Sequence, residues 1–339
     1  MITAVLCTAR AEPQFQWMAD SLVHNLNRCP IPFELIVVDK LLWAEVRGTR
    51  RAQLEEAIQG RFSYRHIPPK PTVWQGPHRK TQRDYYALCN ARNTGIAYAR
   101  GDYIVLFDDC TVLDENWLQW YAKVASRRDK KRACVAGSFR SYTEAVIEDG
   151  RVISGTLHPC GEDSRGRELK KCSGTWMYGL NTGFPIEAAL AVNGYDEVYD
   201  GQGGSEDCSA GLRMELAGFT TVYLPDCLIN QILTTHTPVC DFAAWGQTQE
   251  KKQKERVLLD GKGHFANEFA IQHLLRHPQV DPLGNDFKLA ELRQAALTSG
   301  RLPENRIMTP ETAQLLPTGI QPPTEWYDWR DGQLLKEMT

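Results

Sequence analysis

Short apolar runs alternate along the first third of the chain with stretches whose apolar positions recur at three and four. Ile2–Cys7 is a β-rich run. After Ala11-Glu12-Pro13, the residues Phe15, Met18, Leu22, Val23 and Leu26 fall on one face of a predicted helix. Phe33–Asp39 predicts a second buried strand that ends in an acid. Arg50–Ile58 predicts a polar helix stopped by Gly60, and Phe62–Ile67 a third strand. A proline-rich loop, Pro68–Pro71, leads through Trp74 and the basic cluster His78-Arg79-Lys80 into a helix over Gln82–Ala99. Gly101-Asp102 turns the chain into the run Tyr103–Phe107, which ends on Asp108-Asp109. Continuous apolar strands joined through helices imply a largely parallel sheet covered on both faces. Ligands bind such sheets at the carboxyl ends of the strands, where Asp39, Asp108 and Asp109 fall.

The pattern then becomes more mixed. Asn116–Val124 predicts a helix, and the basic run Ser126–Arg132 reads as its solvated end. Ala145–Ser154 predicts a hairpin turning at Glu148-Asp149-Gly150. Trp176–Phe184 predicts a strand, Pro185–Val192 a short helix and Asn193-Gly194 a turn. The glycine-rich Gly201–Gly204 precedes a helix from Ser205 to Gly218. Phe219–Leu224 is the last clear strand, and His236 follows it. Beyond about residue 245 the strand signal fades. Gln247–Leu259, Glu268–Leu275 and Asp286–Leu297 predict helices, and prolines recur from Pro303. Trp326, Tyr327 and Trp329 in the tail are expected to pack on the body or on a second copy of the chain. The division this predicts is an α/β domain over 1–245, with halves 1–110 and 111–245, and a helical, proline-rich C-terminal extension over 246–339.

Composition narrows the class. The 339 residues are 42% hydrophobic and 24% charged with a formal net charge of −3, which excludes a disordered chain, a collagen and a membrane bundle. A dedicated nucleic-acid binder would carry a basic excess, and none shows overall. No apolar run approaches the ~20 residues that span a bilayer. Met1–Cys7 has neither a basic region before it nor a cleavage site after it, so a soluble, cytoplasmic protein is expected. The ten cysteines are scattered without a CxxC pair and read as reduced, buried thiols. His158, Cys160 and Cys172 form the sharpest metal-like grouping. They lack the paired ligands of a structural zinc site, so a polar loop is the simpler reading.

Two acidic doublets carry the chemistry. Adjacent carboxylates after a buried strand repel, which drives one toward its protonated form unless a charge compensates. At Asp108-Asp109 a Mg²⁺ or Mn²⁺ ion would supply that charge; two acids accepting turn N–H bonds is the plainer alternative. Glu206-Asp207 falls in the first turn of a helix, where the dipole favours an ionised carboxylate that could accept a proton from an alcohol. Ordinary acidic enrichment at a helix start would look the same. Between the doublets, Gly95 in Ala91-Arg92-Asn93-Thr94-Gly95 permits close packing of a helix on the sheet.

Four segments in order, ARNTG, GDYIVLFDDCTVLDENWL, NTGFPIEAALAVNGYDE and GGSEDCSAGLRMELAGF, resemble the GT-A glycosyltransferases of family 2 over roughly residues 2–240. The resemblance implies a Rossmann-like, mostly parallel central sheet with helices on both faces, and transfer of a sugar from a nucleotide-diphospho-sugar, UDP-linked by family frequency. It implies Asp109 and Asp108 as ligands of Mn²⁺ or Mg²⁺, Asp108 also on the ribose, and His236 completing the metal shell. Cys110 stands where the family often has a further acid or amide. Donor contacts are implied for Thr8, Ala9, Arg10 and Asp39, although Lys40-Leu41-Leu42 departs from the family's acidic, glycine-rich continuation. Arg79, Lys80 and Arg83 would meet the diphosphate, with Arg92 and Asn93 also on the donor side. Asp207 would be the general base of an inverting reaction, with Glu206 second to it. Trp176, Tyr178, Asp196 and Glu197 would face the acceptor, whose class stays open among polysaccharide, lipid-linked sugar, protein and modified nucleic acid. The chain has no Gln-x-x-Arg-Trp motif and no spans, so non-processive transfer is expected, with possible self-association through the extension. Two alternatives remain at this point. A nucleotidyltransferase of related fold would carry a glycine-rich loop after the first strand, and Thr8–Glu12 has no glycine. A non-catalytic sugar- or nucleotide-binding module would not need the second doublet.

Overall fold

A computed structural model describes residues 1–43, 46–72, 87–127, 133–200, 206–233, 280–282, 284–285 and 287–302, without the side chains of Cys160 and Val198. The first half is built from β1 (Ile2–Thr8), α1 (Phe15–Arg28), β2 (Phe33–Asp39), α2 (Arg47–Ile58), β3 (Tyr64–Ile67), α3 (Leu88–Tyr98) and β4 (Tyr103–Asp108). The second half contains β5 (Thr111–Leu113), α4 (Trp117–Ala125), β6 (Cys134–Glu148), β7 (Arg151–Glu162), β8 (Lys170–Cys172), β9 (Asn181–Pro185), α5 (Ile186–Ala191), α6 (Glu206–Leu216) and β10 (Thr221–Ile232). A last described helix, α7 (Leu289–Ser299), packs on α3.

One sheet runs through the molecule in the order β3-β2-β1-β4-β9-β6-β10-β5, with β7 on β6 and β8 on β10. The first four strands are parallel. β9 enters antiparallel to both β4 and β6, and β6 and β10 are again parallel. This is an α/β arrangement around one mixed sheet. Alternate residues of each central strand feed opposite faces, which is why the strands read as unbroken apolar runs. Val5, Ile36, Val38, Ile104 and Leu106 pack under α3, α5, α6 and α7. Ala4, Leu6, Leu35, Val37, Val105 and Phe107 pack under α1, α2 and α4. Gly95 lets α3 lie directly on β1, because a Cβ there would sit 2.3 Å from a Val5 methyl.

The hairpin turns where the sequence predicts, with Asp149 (φ 47°) and Gly150 (φ 64°) both left-handed. Two predicted strands differ. The chain over Trp176–Phe184 is first a 3-10 turn, Gly174–Trp176, capped by the Ser173 side chain, and becomes strand only at Asn181. Conversely, β10 continues past Leu224, because its pairing with β6 skips from Leu224 to Leu228 and resumes beyond Pro225. The predicted start of the Gln82–Ala99 helix, the ends of the basic run, Gly201–Ser205, the helices over 247–259 and 268–275, and the aromatic tail lie outside the described residues. Among the described residues no helix is long and apolar enough to cross a membrane.

Asn181 ties the second half together. Its Oδ1 accepts from Trp117 Nε1 and Tyr121 Oη, each at 2.9 Å, and its Nδ2 donates to the Ser138 and Cys227 carbonyls at 2.8 and 2.7 Å. α4, β6, β9 and β10 thus meet on one fully buried amide. Gly137 makes the room, since a Cβ there would lie 2.3 Å from Nδ2. Asn181→Leu keeps the volume and strands these partners, so urea unfolding is expected to show a loss of about 3 kcal/mol or more. A loss within ~0.5 kcal/mol would show that the four groups find other partners.

Candidate active site

β4 ends on the acid pair, and the parallel register of β1 brings the loop after Thr8 beside it. Thr8 Oγ1 donates to Asp109 Oδ2 at 2.7 Å, and Arg10 Nε donates to Oδ1 at 2.8 Å. Both oxygens of Asp109 are therefore held by the first loop. Cys110 follows at φ 56°, a left-handed conformation that a residue with a Cβ adopts at a cost, and it turns the chain sharply into β5. Asp108 is half-buried and receives a long 3.4 Å bond from Gln231 Nε2 on β10. Its carboxyl is pushed up to about 6 by burial, helped by the neighbouring Asp109 and by Asp207, and opposed by Arg92 and Arg10.

The second doublet opens α6. Glu206 is buried, and its Oε1 accepts from Arg92 Nη1 at 2.9 Å. Asp207 is half-buried; its Oδ2 accepts the Gly179 N–H at 2.8 Å and its Oδ1 the Cys208 N–H at 2.7 Å. Burial raises the Glu206 carboxyl, and so does Asp207, while Arg92 pulls it back. Burial alone would lower the Arg92 guanidinium, but Glu206, Tyr195, Asp207 and Asp108 together hold it well above its usual value. One buried cation thus feels acids from both doublets, and Asp108 feels Asp207 directly. Asp108 of the first pair and both acids of the second thus lie within electrostatic reach of Arg92, although 96 or more residues separate the pairs.

Several predicted site residues face elsewhere. Asp39 is fully buried, with Leu41 N–H on Oδ1 and with Arg50 and His66 at 3.0 Å on Oδ2, so it closes a core ion cluster rather than presenting a carboxylate to a nucleotide. Asn93 donates to the Tyr195 carbonyl and Glu197 and accepts from Tyr195 N–H, which fastens α3 to the loop after α5 and leaves no exposed atom for a donor. Asp196 accepts from Gly284 N–H, and Glu197 pairs with buried Lys70 at 2.7 Å. Both carboxylates are buried. Arg92 is buried against Glu206. Ala9 is buried beside Thr8.

Trp176 stacks edge-on against Tyr223 at 5.7 Å, and Tyr178 lies 4.5 Å from the Arg165 guanidinium; burial first, with Asp207 among the nearby charges, raises the Tyr178 hydroxyl. Arg79, Lys80, Arg83 and His236 lie outside the described residues, as does the side chain of Cys160 in the His158–Cys172 grouping. Sequence reasoning missed Gly179, Gln231, Lys70 and Asp200, whose carboxylate accepts the Cys89 and Asn90 N–H groups at the start of α3. Each acts on a partner far along the chain, so no local pattern marks it. A cavity of about 620 Å³, reached by Trp120, Arg140, Arg167 and Asp226, lies beyond Arg165 and contains none of the four acids.

The residues at the acid pair fit a divalent cation. Asp108 carries a carboxylate that burial destabilises more than Arg92 and Arg10 compensate, with one long bond from Gln231 among the described residues, beside a second carboxylate already held in place. Hard oxygen donors of this kind suit Mg²⁺ or Mn²⁺. Among the described residues no third His, Cys, Asp or Glu joins them.

The sequence model of the family described as Glycosyl transferase family 2 matches residues 78–178, just under a third of the chain. No curated protein matches the chain. Among solved structures, the chain is similar to S. aureus TarS 1–349 in complex with UDP, at 12% identity, covering 81% of this chain and 72% of that one, with a TM-score of 0.47. It is also similar to mannosyltransferase PcManGT from Pyrobaculum calidifontis in complex with GDP-Man and Mn²⁺, at 14% identity, covering 87% and 69%, with a TM-score of 0.44.

The raised Asp108 carboxyl has a consequence for stability. Its folded value of about 6 lies above the unfolded ~3.9. The folded state therefore binds the extra proton between those values, and stability contributed here falls as pH rises from about 4 to about 6, then levels. In chelator at pH 7.5, Asp108→Asn is expected to melt above the parent chain, with the gap closing toward pH 4. Equal melting at both pH values would place Asp108 in solvent.

Proposed function

We propose that this chain is a glycosyltransferase of the GT-A, family 2-like type, a reading supported by the family match over residues 78–178, and that it moves a sugar with inversion, non-processively, from a nucleotide-diphospho-sugar to an acceptor hydroxyl. UDP-sugars are the first donors to test. The observation that supports this reading is Arg92, bonded to Glu206 and within electrostatic reach of Asp207 and of Asp108 at the end of β4.

Asp207, rather than Glu206, is the proton acceptor. Glu206 is 5% exposed and locked on Arg92, whereas Asp207 reaches the cleft. Its two N–H bonds use half of a carboxylate's roughly four acceptor positions and leave the others open to a proton. As the acceptor oxygen bonds the anomeric carbon, its proton passes to Asp207. The bond from that carbon to the diphosphate oxygen breaks, and its electron pair leaves with the diphosphate. Attack opposite the leaving group inverts the centre. Thr8 and Arg10 hold Asp109 in one orientation toward the donor side. A divalent cation held by Asp108 and Asp109 would supply charge to stabilise the departing diphosphate. Tyr178, one residue before the Gly179 N–H that binds Asp207, is the aromatic best placed to meet an acceptor.

Thermal shift against UDP-, GDP- and other nucleotide-diphospho-sugars with Mn²⁺ or Mg²⁺, scored together with donor hydrolysis, tests the donor half. Stabilisation by one metal–nucleotide pair is expected, and indifference to all of them would favour a module that has lost the reaction. Asp207→Asn is expected to lower turnover about 10²–10⁴-fold with donor stabilisation unchanged. Normal turnover in that variant would remove Asp207 from the role.

A further inference from the structure

Arg92 sits where two restraints on Asp207 meet. Its Nη1 is bonded to Glu206 Oε1 at 2.9 Å, and its guanidinium carbon lies 5.0 Å from the Tyr195 ring centroid. It also packs flush on Gly179: a Cβ built there would stand 1.9 Å from Nη2 and 2.5 Å from Cζ. Only glycine leaves room for this contact. The same Gly179 gives its N–H to Asp207 Oδ2 at 2.8 Å. The guanidinium therefore touches the residue before Asp207 on α6 and supports the backbone group that orients the Asp207 carboxylate from outside the helix.

We propose that Arg92 is a positioning residue for Asp207, seating Gly179 so that its N–H aims at the carboxylate and neutralising Glu206 so that Asp207 keeps its proton-accepting form. This rests on Asp207 being the proton acceptor. A buried Glu206 without a counter-charge would repel a second carboxylate one residue away and drive one of the two toward protonation. Arg92 removes that conflict, and as a cation without an accessible proton to lose it does so at every working pH. Among the described residues, the charged and titratable groups that face Asp207 are Glu206 and Cys208 on its own helix, Arg92 from α3, Asp108 from β4, Tyr178 before β9 and Tyr195 after α5. Arg92 is the cation among these described groups.

The test is a ¹³C NMR titration of the carboxyl signals of the full chain without metal or donor, with the Asp207 signal identified by its loss in Asp207→Asn. Arg92→Met is expected to raise the proton affinity of Asp207 by roughly tenfold, the scale of one unit of titration midpoint. Arg92→Lys, which keeps the charge but not the planar seat on Gly179, is expected to fall between. Arg92→Met leaves Glu206 buried and alone, and the variant could fail to fold. The same comparison between Glu206→Gln and the double variant Arg92→Met/Glu206→Gln removes that problem, and a roughly tenfold rise is expected there too. An unchanged Asp207 titration in the double variant, with an intact fold, would reduce Arg92 to packing and overturn the proposal. The titration needs no donor. Normal turnover in Asp207→Asn would remove the catalytic reading and leave the measured coupling standing.

Discussion

The two halves of this protein are held together by charges buried in pairs. A lone ion inside a protein costs several kcal/mol, so a buried guanidinium or ammonium commits the chain to delivering its partner. Arg92 on α3 meets Glu206 on α6, and Lys70 after β3 meets Glu197 after α5, with both members of each pair almost fully covered. Asp200 adds a third tie by accepting the first free N–H groups of α3. All three join the parallel first half to the mixed second half. Each acts only when helices and loops from both halves are in place.

This arrangement explains how acids distant in sequence come within electrostatic reach of one another. α3 lies directly on β1 through Gly95, and β1 lies beside β4, so Arg92 is carried to within electrostatic reach of Asp108. Glu206 is drawn to Arg92, and Asp207 follows it onto the exposed side of the same turn. The first loop contributes Thr8 and Arg10 to Asp109, so the cation side and the proton-accepting side are fixed by different elements. Asn181 plays the corresponding role for the far half, where a buried amide joins α4, β6, β9 and β10.

Polar residue type alone did not separate chemistry from scaffolding. Asp39, Asn93, Asp196 and Glu197 look, by type and position, like groups that touch ligands, yet the folded chain spends them on Arg50 and His66, on Tyr195, on Gly284 and on Lys70. Arg92 reads as a donor contact and proves to be an internal counter-ion. The residues overlooked in the sequence, Gly179 and Gln231 among them, matter through what they approach.

The hydrophobic period by itself determined the strands of the first half, most of the described helices, the hairpin turn at Asp149-Gly150 and the placing of Asp108-Asp109 at a strand's carboxyl end. Those features follow from local geometry: side chains alternate on a strand, repeat every 3.6 residues on a helix, and turn where a left-handed residue is tolerated. Tertiary structure alone decided which polar groups would be paired and hidden and which would stay half-open. That choice depends on desolvation and on partners brought together from more than a hundred residues apart, as Arg92 and Glu206 are, and no periodicity along the chain encodes such a meeting.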